Sequence, residues 1–492
     1  MSSQTRLQQT GSASTDLKES FLNNWQGAKL IPFMAVISFA AALWWLPVPA
    51  GLSPKAWHLF IIFLSTIIAI IAKILPMGAL TLLAISVCLG THTLTLEQSL
   101  ISFKSNVLWL IIFAFLIARG FIKTGLGTRV AYQFIAIIGK STLGLSYGLI
   151  LTDLILAPFI PSNTARGGGI IFPIVNSLTG GYDSRPHQPS RKKIGAFLIK
   201  LAFQANLITS AMFLTSMASN PLIASLAEKV GITITWGTWA LATIVPGLLN
   251  LILLPLIMFR LFPPEVKKTP QAPAMAREKL KDIGPMRMDE MIMLGTFSLL
   301  LFLWVFGSQF GIQATTAALF GLVILLFSGV LTWKDVLNEN VAWDTFVWLG
   351  TLLMMASHLS EFGMMTWLSG HMQQLVVGIN VFYAVTILAL SYFYIHYLFP
   401  SMTAHITSLY SGVVVLSVSL GAPPLFVALM FAILSNLCGG ITHYGTGSAP
   451  VFFGSGYVNM KEWWRVGGLL SLFNLAIWAV VGGLWWKIIG LW

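Results

Sequence analysis

The chain has 492 residues, of which 56% are hydrophobic and only 9% are charged. A typical soluble domain carries roughly 25% charged residues. Apolar runs of about 20 residues, the length that crosses a bilayer, recur here from end to end. This composition excludes a soluble globular protein and predicts an all-α polytopic membrane protein with about eleven transmembrane helices.

The formal net charge of +12 follows membrane topology and does not indicate a nucleic-acid partner. If the N-terminus is cytoplasmic and the chain crosses eleven times, few basic side chains face outward. Those few are Lys55, Lys104, Lys229 and Lys487. Positive residues concentrate on the cytoplasmic side of membrane proteins. This orientation is therefore predicted, and since no signal or transit peptide is evident, a bacterial inner membrane is the expected location.

Taken in order, the chain divides into four predicted regions. Residues 1–29 are polar and predict a cytoplasmic N-terminal tail. Residues 30–262 predict a first transmembrane repeat with a leading helix. Residues 263–290 mix Pro, Lys, Arg and acids and predict a cytoplasmic linker. Residues 291–492 predict a second transmembrane repeat. The apolar runs near spanning length lie at 30–48, 56–75, 78–91, 107–122, 194–227, 237–262, 291–310, 313–331, 342–360, 424–452 and 465–488.

One polar pattern occurs twice, as FIPSNTARGGG at 160–170 and LFPSMTAHITS at 398–408. Ser162 and Ser401 are 239 positions apart, and so are Thr164 and Thr403. If each half contributes five crossings, matching elements run through the membrane in opposite directions. Such inverted-topology repeats form many secondary transporters. The alternative interpretation is a duplication without mechanistic meaning.

The segments around these patterns predict re-entrant hairpins. In 142–178 and in about 378–419, two apolar arms flank the Ser-x-Thr centre, and neither arm of the first copy spans a bilayer comfortably at about 1.5 Å per residue. Unwound backbone at membrane depth must be surrounded by protein or water, so the two tips are expected to meet near the midplane. Segments 194–227 and 424–455 carry polar interruptions and predict broken helices, whose free ends bind ions.

Two hairpin tips and two helix breaks predict one central polar site for a carboxylate anion. Hydroxyl groups, amides and free helix N-termini donate hydrogen bonds to carboxylates. Arg166 and His405 each follow the Thr of their tip by two residues, and two facing cations suit a dicarboxylate. Alternatively, Arg166 is a topogenic residue and His405 a satisfied core histidine. The candidate substrate-binding residues are Ser162, Asn163, Thr164, Arg166, Ser210, Thr215, Ser401, Thr403, His405, Gly440 and Thr446.

Other chemistry is weakly represented. Asp153 and Lys200 are predicted to pair with each other. Cys88 and Cys438 are too few for a metal framework, and no phosphate loop or metal-ligand spacing occurs, so no metal or cofactor is predicted. An anion channel remains an alternative that counter-substrate dependence would exclude. An intramembrane enzyme would need a nucleophile–base or metal constellation, and the histidines are scattered.

The strings PSNTARGGGIIFP and ITHYGTGSAPVFFGSGYV resemble the divalent anion:sodium symporter (DASS) superfamily. The resemblance covers nearly all of residues 30–490. It is greatest to bacterial citrate/succinate and tartrate/succinate antiporters and to the plastid 2-oxoglutarate/malate translocator. It implies eleven spans, two re-entrant hairpins, a scaffold part that forms a homodimer, and a transport part that moves like an elevator.

In that family each tip carries Ser-Asn-Thr, and here the second tip has Met402 in place of Asn. A thioether is a poor ligand for a hard cation, which puts a second Na⁺ site in doubt. A fixed Arg166 and His405 could supply the positive charge that Na⁺ would otherwise bring. The empty carrier would then have to move this charge across the membrane without a counter-ion, which is unfavourable. The expected function is Na⁺-independent exchange of di- or tricarboxylates, such as 2-oxoglutarate, malate and succinate. Na⁺-coupled symport is the alternative, since helix dipoles also help to bind cations.

Overall fold

The computed structural model describes residues 27–364, 366–367, 370–371, 380–399 and 401–492. Most of the predicted N-terminal tail, residues 1–26, lies outside this part. Within it, all regular structure is helical, apart from one isolated bridge between Ser141 and Lys268. The predicted all-α class is confirmed.

Thirteen α-helices precede residue 288 in the described part. They are α1 (Leu30–Trp44), α2 (Pro54–Ile71), α3 (Met77–Gly90), α4 (Leu96–Leu100), α5 (Asn106–Thr124), α6 (Leu126–Ile138), α7 (Thr142–Leu156), α8 (Asn163–Arg166), α9 (Phe172–Gly181), α10 (Gly195–Met212), α11 (Ser219–Lys229), α12 (Trp236–Leu261) and α13 (Ala272–Ile283). A π-helical turn, Gly167–Ile171, joins α8 to α9 into one continuous arm.

The second half repeats much of this order. Its described α-helices are α14 (Met288–Phe306), α15 (Ala314–Phe327), α16 (Trp333–Leu337), α17 (Asn340–Glu361), α18 (Val381–Ile395), α19 (Met402–Ser419), α20 (Pro424–Leu437), α21 (Ala449–Gly454), α22 (Met460–Ile477) and α23 (Gly483–Ile488). Eight described helices are long and apolar enough to cross a membrane, and six further apolar helices are shorter. The prediction of a polytopic membrane protein is confirmed.

Matching helix ends show that the two halves fold alike. Helices α4 and α16 both begin with a capping box, whose N-cap residues are Thr95 and Thr332. Helices α5 and α17 are followed by Gly125 and Gly363, both with the left-handed backbone that favours glycine. The same types of capping residue therefore begin and end the equivalent helices of the two halves.

The hairpin arms also match. Helices α7 and α18 each have 15 residues, and their first residues, Thr142 and Val381, are 239 positions apart. The return arms begin at Asn163 and Met402, again 239 positions apart. Each hairpin therefore turns at its Ser-x-Thr sequence, as the pattern predicts.

The segment predicted as a linker, 263–290, contains α13, which packs against α6. Its end is held by a buried ion pair in which Arg129 Nε lies 2.8 Å from Glu290 Oε1. Arg129 also donates to the carbonyl of Gly284 at 2.8 Å. These contacts fold the segment onto the first half of the chain.

A second ion pair joins the two halves outside the hairpins. Lys123 Nζ, at the end of α5, lies 2.6 Å from Asp335 Oδ2 in the short helix α16. The hydrogen bond from Lys123 and those from Thr332 hold the pKa of the Asp335 carboxyl well below its usual range. This carboxylate is therefore charged at any physiological pH.

Candidate functional site

Two membrane helices are broken, as the sequence predicts. Helix α10 ends at Met212 and α11 begins at Ser219. In the second half, α20 runs into a short 3₁₀ turn that ends at Gly440, and α21 begins at Ala449. The unwound segments between these ends expose backbone N–H and C=O groups that helices otherwise satisfy internally.

Each hairpin tip starts a helix with a serine cap. The Ser162 side chain accepts a hydrogen bond from the backbone N–H of Ala165 at 3.1 Å. The Ser401 side chain accepts one from Ala404 at 3.5 Å. Both serines therefore cap a helix N-terminus, the end that carries partial positive charge and unpaired N–H groups. The sequence repeat thus places two anion-attracting helix ends at the two tips.

The two tips and the two helix breaks enclose one cavity of about 360 Å³. A cavity of this size lies within the range that small-molecule sites occupy. Its polar or charged lining residues are Lys73, Ser162, Asn163, Ser219, Ser401, Thr403, Tyr444 and Thr446. Met402, which replaces the expected Asn, also lines it. The predicted convergence of the repeated motifs is what the tertiary structure shows.

Each tip contacts the helix break of the opposite repeat. Asn163 Nδ2 donates to Thr446 Oγ1 at 2.7 Å, and the hydroxyls of Ser219 and Thr403 are 3.4 Å apart. Gly447 allows the close approach of the first tip, because a Cβ there would overlap the hydroxyl of Thr164. Movement of either hairpin would therefore disturb the break that faces it.

Arg166 lies behind the cavity and is fully buried. Its Nε donates to Asp153 Oδ1 at 3.1 Å, its Nη1 to the carbonyl of Ile160 at 2.6 Å, and its Nη2 to Ser210 Oγ at 2.8 Å. A further bond reaches the carbonyl of Ser216. All three nitrogens of the guanidinium donate hydrogen bonds to protein groups. Arg166 therefore connects the first hairpin to the first helix break.

Lys200 is fully buried and has no carboxylate partner among the described residues. Its Nζ lies 3.9 Å from the ring centre of Trp463 and 5.1 Å from that of Phe203. The same atom is 3.5 Å from the carbonyl of Gly440, where the second broken helix ends. The predicted pairing of Asp153 with Lys200 is wrong, because the carboxylate holds the guanidinium instead.

The other predicted cation, His405, is also fully buried behind the second tip. Its ring lies against that of Tyr392, tilted by 35° with 4.3 Å between the ring centroids. Thr215, which was also predicted to bind substrate, instead makes two protein contacts. Its hydroxyl donates to the carbonyl of Pro158 and accepts from Trp236 Nε1 at 3.1 Å. Neither residue lines the cavity. Direct contact with substrate stays an untested prediction, unsupported by this arrangement, for Thr164, Arg166, Ser210, Thr215, His405 and Gly440.

The cavity does contain one cation that motif reasoning missed. Lys73 follows α2, is exposed, and has no carboxylate within 4 Å among the described residues. It lies outside both repeated motifs, between two apolar runs, where a lone lysine indicates a span boundary. Only the tertiary contact between the end of α2 and the hairpin tips identifies it.

Residues 27–492 match the family model described as the sodium:sulfate symporter transmembrane region. The chain belongs to this family. The resemblance to the divalent anion:sodium symporters is confirmed, and the protein is a multi-pass membrane transporter and not an enzyme.

Several curated proteins align along almost the whole chain. A putative malate transporter, YflS, of Bacillus subtilis (strain 168) is 52% identical over 94% of this chain and 97% of its own length. The chloroplastic dicarboxylate transporter 1 of Spinacia oleracea is 47% identical over 95% and 83%. The citrate/succinate antiporter of Escherichia coli (strain K12) is 33% identical over 93% and 98%.

A solved structure shares the fold. The crystal structure of the Alcanivorax borkumensis YdaH transporter superposes with a TM-score of 0.54 at 13% identity. The match covers 79% of this chain and 86% of that chain. The membrane architecture is therefore shared with a protein of low sequence similarity.

Proposed function

We propose that this protein exchanges C4–C5 dicarboxylates, such as malate, succinate and 2-oxoglutarate, across the membrane without Na⁺. The observation that carries the proposal is the cavity between the two capped hairpin tips. Two helix N-termini and several hydroxyls converge there, which is the chemistry that binds carboxylates. The printed names of the relatives, a malate transporter, a dicarboxylate transporter and a citrate/succinate antiporter, support the same substrate class.

In this proposal the two tips hold the two carboxylates. Ser162 and Asn163 contact one end of the anion from the first hairpin. Ser401 and Thr403 contact the other end, and Thr446 lies beside the first tip. Lys73 supplies the positive charge that reaches the cavity. Arg166 acts through the structure, by holding the first tip in place.

Independence from Na⁺ is supported by Lys200. In transporters with broken helices, unwound carbonyls and helix C-terminal ends coordinate the coupling cation. Here the buried amine of Lys200 already lies beside the carbonyl of Gly440 at such an end. Met402 at the second tip adds a thioether, which hard cations avoid. The Lys200 amine therefore occupies a position where a sodium ion would otherwise be recruited.

The positive charge at the cavity favours exchange over uptake by an empty carrier. With an empty cavity, the charge of Lys73 and the partial charges of the two helix N-termini have no bound counter-charge. Moving one uncompensated charge against the membrane potential costs about 2.3 kcal/mol per 100 mV. A bound dicarboxylate supplies the counter-charge on either side, so loaded carriers cross more readily than empty ones.

The transport step in this proposal is an elevator-type movement of the two hairpins and broken helices against a dimeric scaffold. Lys73 lines the cavity and is exposed, and the positive-inside pattern assigns it to the cytoplasmic side. The described conformation is then inward-open, with the N-terminus cytoplasmic in a bacterial inner membrane. Na⁺-coupled symport is the alternative, and the family description favours it.

The test is uptake of labelled malate, succinate or 2-oxoglutarate into proteoliposomes that are either empty or preloaded with unlabelled dicarboxylate. Each is measured in sodium and in choline buffer. Exchange predicts uptake only into preloaded vesicles, at equal rates in both buffers. Uptake into empty vesicles that requires sodium would contradict the proposal and establish the symporter. Liposomes without protein and a variant with the cavity residues Thr403 and Thr446 both changed to Val serve as controls.

A further inference from the structure

Three possible metal ligands meet behind the second hairpin tip. His396 lies in the 3₁₀ turn that ends the first arm, His405 in the first turn of the return arm, and Cys438 in the turn after α20. Their ligand atoms all lie within 4.8 Å of one another. The three residues are 1%, 0% and 1% exposed. They belong to three separate chain segments, so only the folded protein brings them together.

Both histidines have ring nitrogens without a hydrogen-bond partner among the described residues, whereas the Cys438 thiol donates to the carbonyl of Ser435 at 3.2 Å. His396 Nε2 lies 3.1 Å from the carbonyl of Gly445, and since a carbonyl only accepts, that nitrogen carries the proton. Its Nδ1 then has a lone pair and no hydrogen-bond partner among the described residues. Both ring nitrogens of His405 also lack such a partner. Buried polar atoms are normally satisfied, so these orphaned nitrogens point to a missing ligand.

We propose that His396, His405 and Cys438 form a binding site for one thiophilic metal ion, Cu⁺. Two imidazoles and one thiol, with no carboxylate, suit soft or borderline ions and do not suit Na⁺, Mg²⁺ or Ca²⁺. The thiol loses its proton to solvent when the metal binds. Cu⁺ with one thiolate leaves the buried site neutral, whereas Zn²⁺ would leave a net charge in apolar surroundings.

Met402 gives such an ion a path from the cavity. Its side chain lines the cavity, and its methyl group lies against Gly439, next to Cys438. A thioether binds Cu⁺ well, so the residue that departs from the expected Asn can pass a soft ion inward. The bound ion would tie both arms of the second hairpin to the second helix break. Occupancy is therefore expected to immobilise this hairpin and inhibit transport.

The experiment uses the full chain, purified in detergent and kept anaerobic. Cu⁺ is added as a preformed cuprous complex, and binding is measured by competition with bathocuproine disulfonate and by the metal content after gel filtration. The expected result is one Cu⁺ per chain. Cys438→Ser and His405→Gln should each weaken binding by about tenfold or more. Cys88→Ser removes the other buried thiol and is the matched control, which should bind as the wild type does.

Transport inhibition gives a second readout. Micromolar Cu⁺ should inhibit uptake by the wild type and by Cys88→Ser, and should inhibit Cys438→Ser much less. Circular dichroism and elution volume establish that each variant folds. Retained stoichiometric binding by folded Cys438→Ser would overturn the proposal, and so would uptake of Zn²⁺ but not Cu⁺. Because binding is measured without any carboxylate, its failure is distinguishable from failure of the transport proposal.

Discussion

Replacing Asp153 with Asn should destabilise the protein strongly, because it leaves the buried charge of Arg166 without its counter-charge. The pair is 3.1 Å apart, and the side chains are 3% and 0% exposed. Breaking a buried ion pair by removing one partner costs about 3–5 kcal/mol. At about 1.4 kcal/mol per factor of ten, the folding equilibrium should fall roughly a hundredfold to several thousandfold.

The assay is equilibrium unfolding in mixed detergent micelles, followed by tryptophan fluorescence. The double variant Asp153→Asn/Arg166→Met removes both charges. It should be less destabilised than Asp153→Asn alone, although carbonyls that the guanidinium satisfied lose their donor. Glu290→Gln, which breaks the other buried pair with Arg129, is the matched control for destabilisation far from the hairpin tips.

Two results would contradict a stabilising role for the Asp153–Arg166 pair. If Asp153→Asn has the same free energy of unfolding as the wild type, the ion pair makes no net contribution to stability. Additive effects in the double variant would show that the two charges do not act on each other. If Arg166 instead binds substrate directly, folded Asp153→Asn should keep or improve its KM for dicarboxylate, because the guanidinium would be freed for the anion.

Three further predictions concern the cavity and its surroundings. Lys73→Gln should raise the KM for dicarboxylate about tenfold, because it removes one charge-assisted contact of about 1.5 kcal/mol. Lys55→Gln is the control and should leave the KM unchanged. Equal effects of the two variants would contradict a role for Lys73 in substrate binding. Gly447→Ala should abolish most transport, because its methyl group would overlap the first tip, whereas Gly169→Ala meets nothing within 4 Å and should transport normally. Loss of activity in both would show that any added methyl group is harmful in this region, and would contradict the specific clash with Thr164. Asp335 has a lowered pKa, so its ion pair stabilises the fold above pH of about 4 and the stabilisation is lost as pH falls further. Asp335→Asn should therefore lose less stability between neutral pH and pH of about 3 than the wild type, and equal losses would contradict this.

The membrane class and the repeated elements follow from composition and local sequence patterns. Sustained apolar runs permit only helices, because backbone groups in lipid must be satisfied within the segment. Serines before the return arms, threonine caps and the glycines at 125 and 363 act through contacts a few residues away. Such local rules can be read from the sequence, and they placed the hairpin tips and helix breaks correctly.

The partners of the charged residues were decided by tertiary structure alone. Arg166, Lys200 and Asp153 are near one another in the sequence pattern, but which carboxylate meets which cation depends on how α7 packs against α10. The exposed Lys73 enters the cavity from outside both motifs. Contacts between residues far apart in the chain leave no periodic or local pattern in the sequence. The same set of charged residues is compatible with several different ion pairs. In the folded protein Asp153 pairs with Arg166, and Lys73 is the cation that lines the cavity.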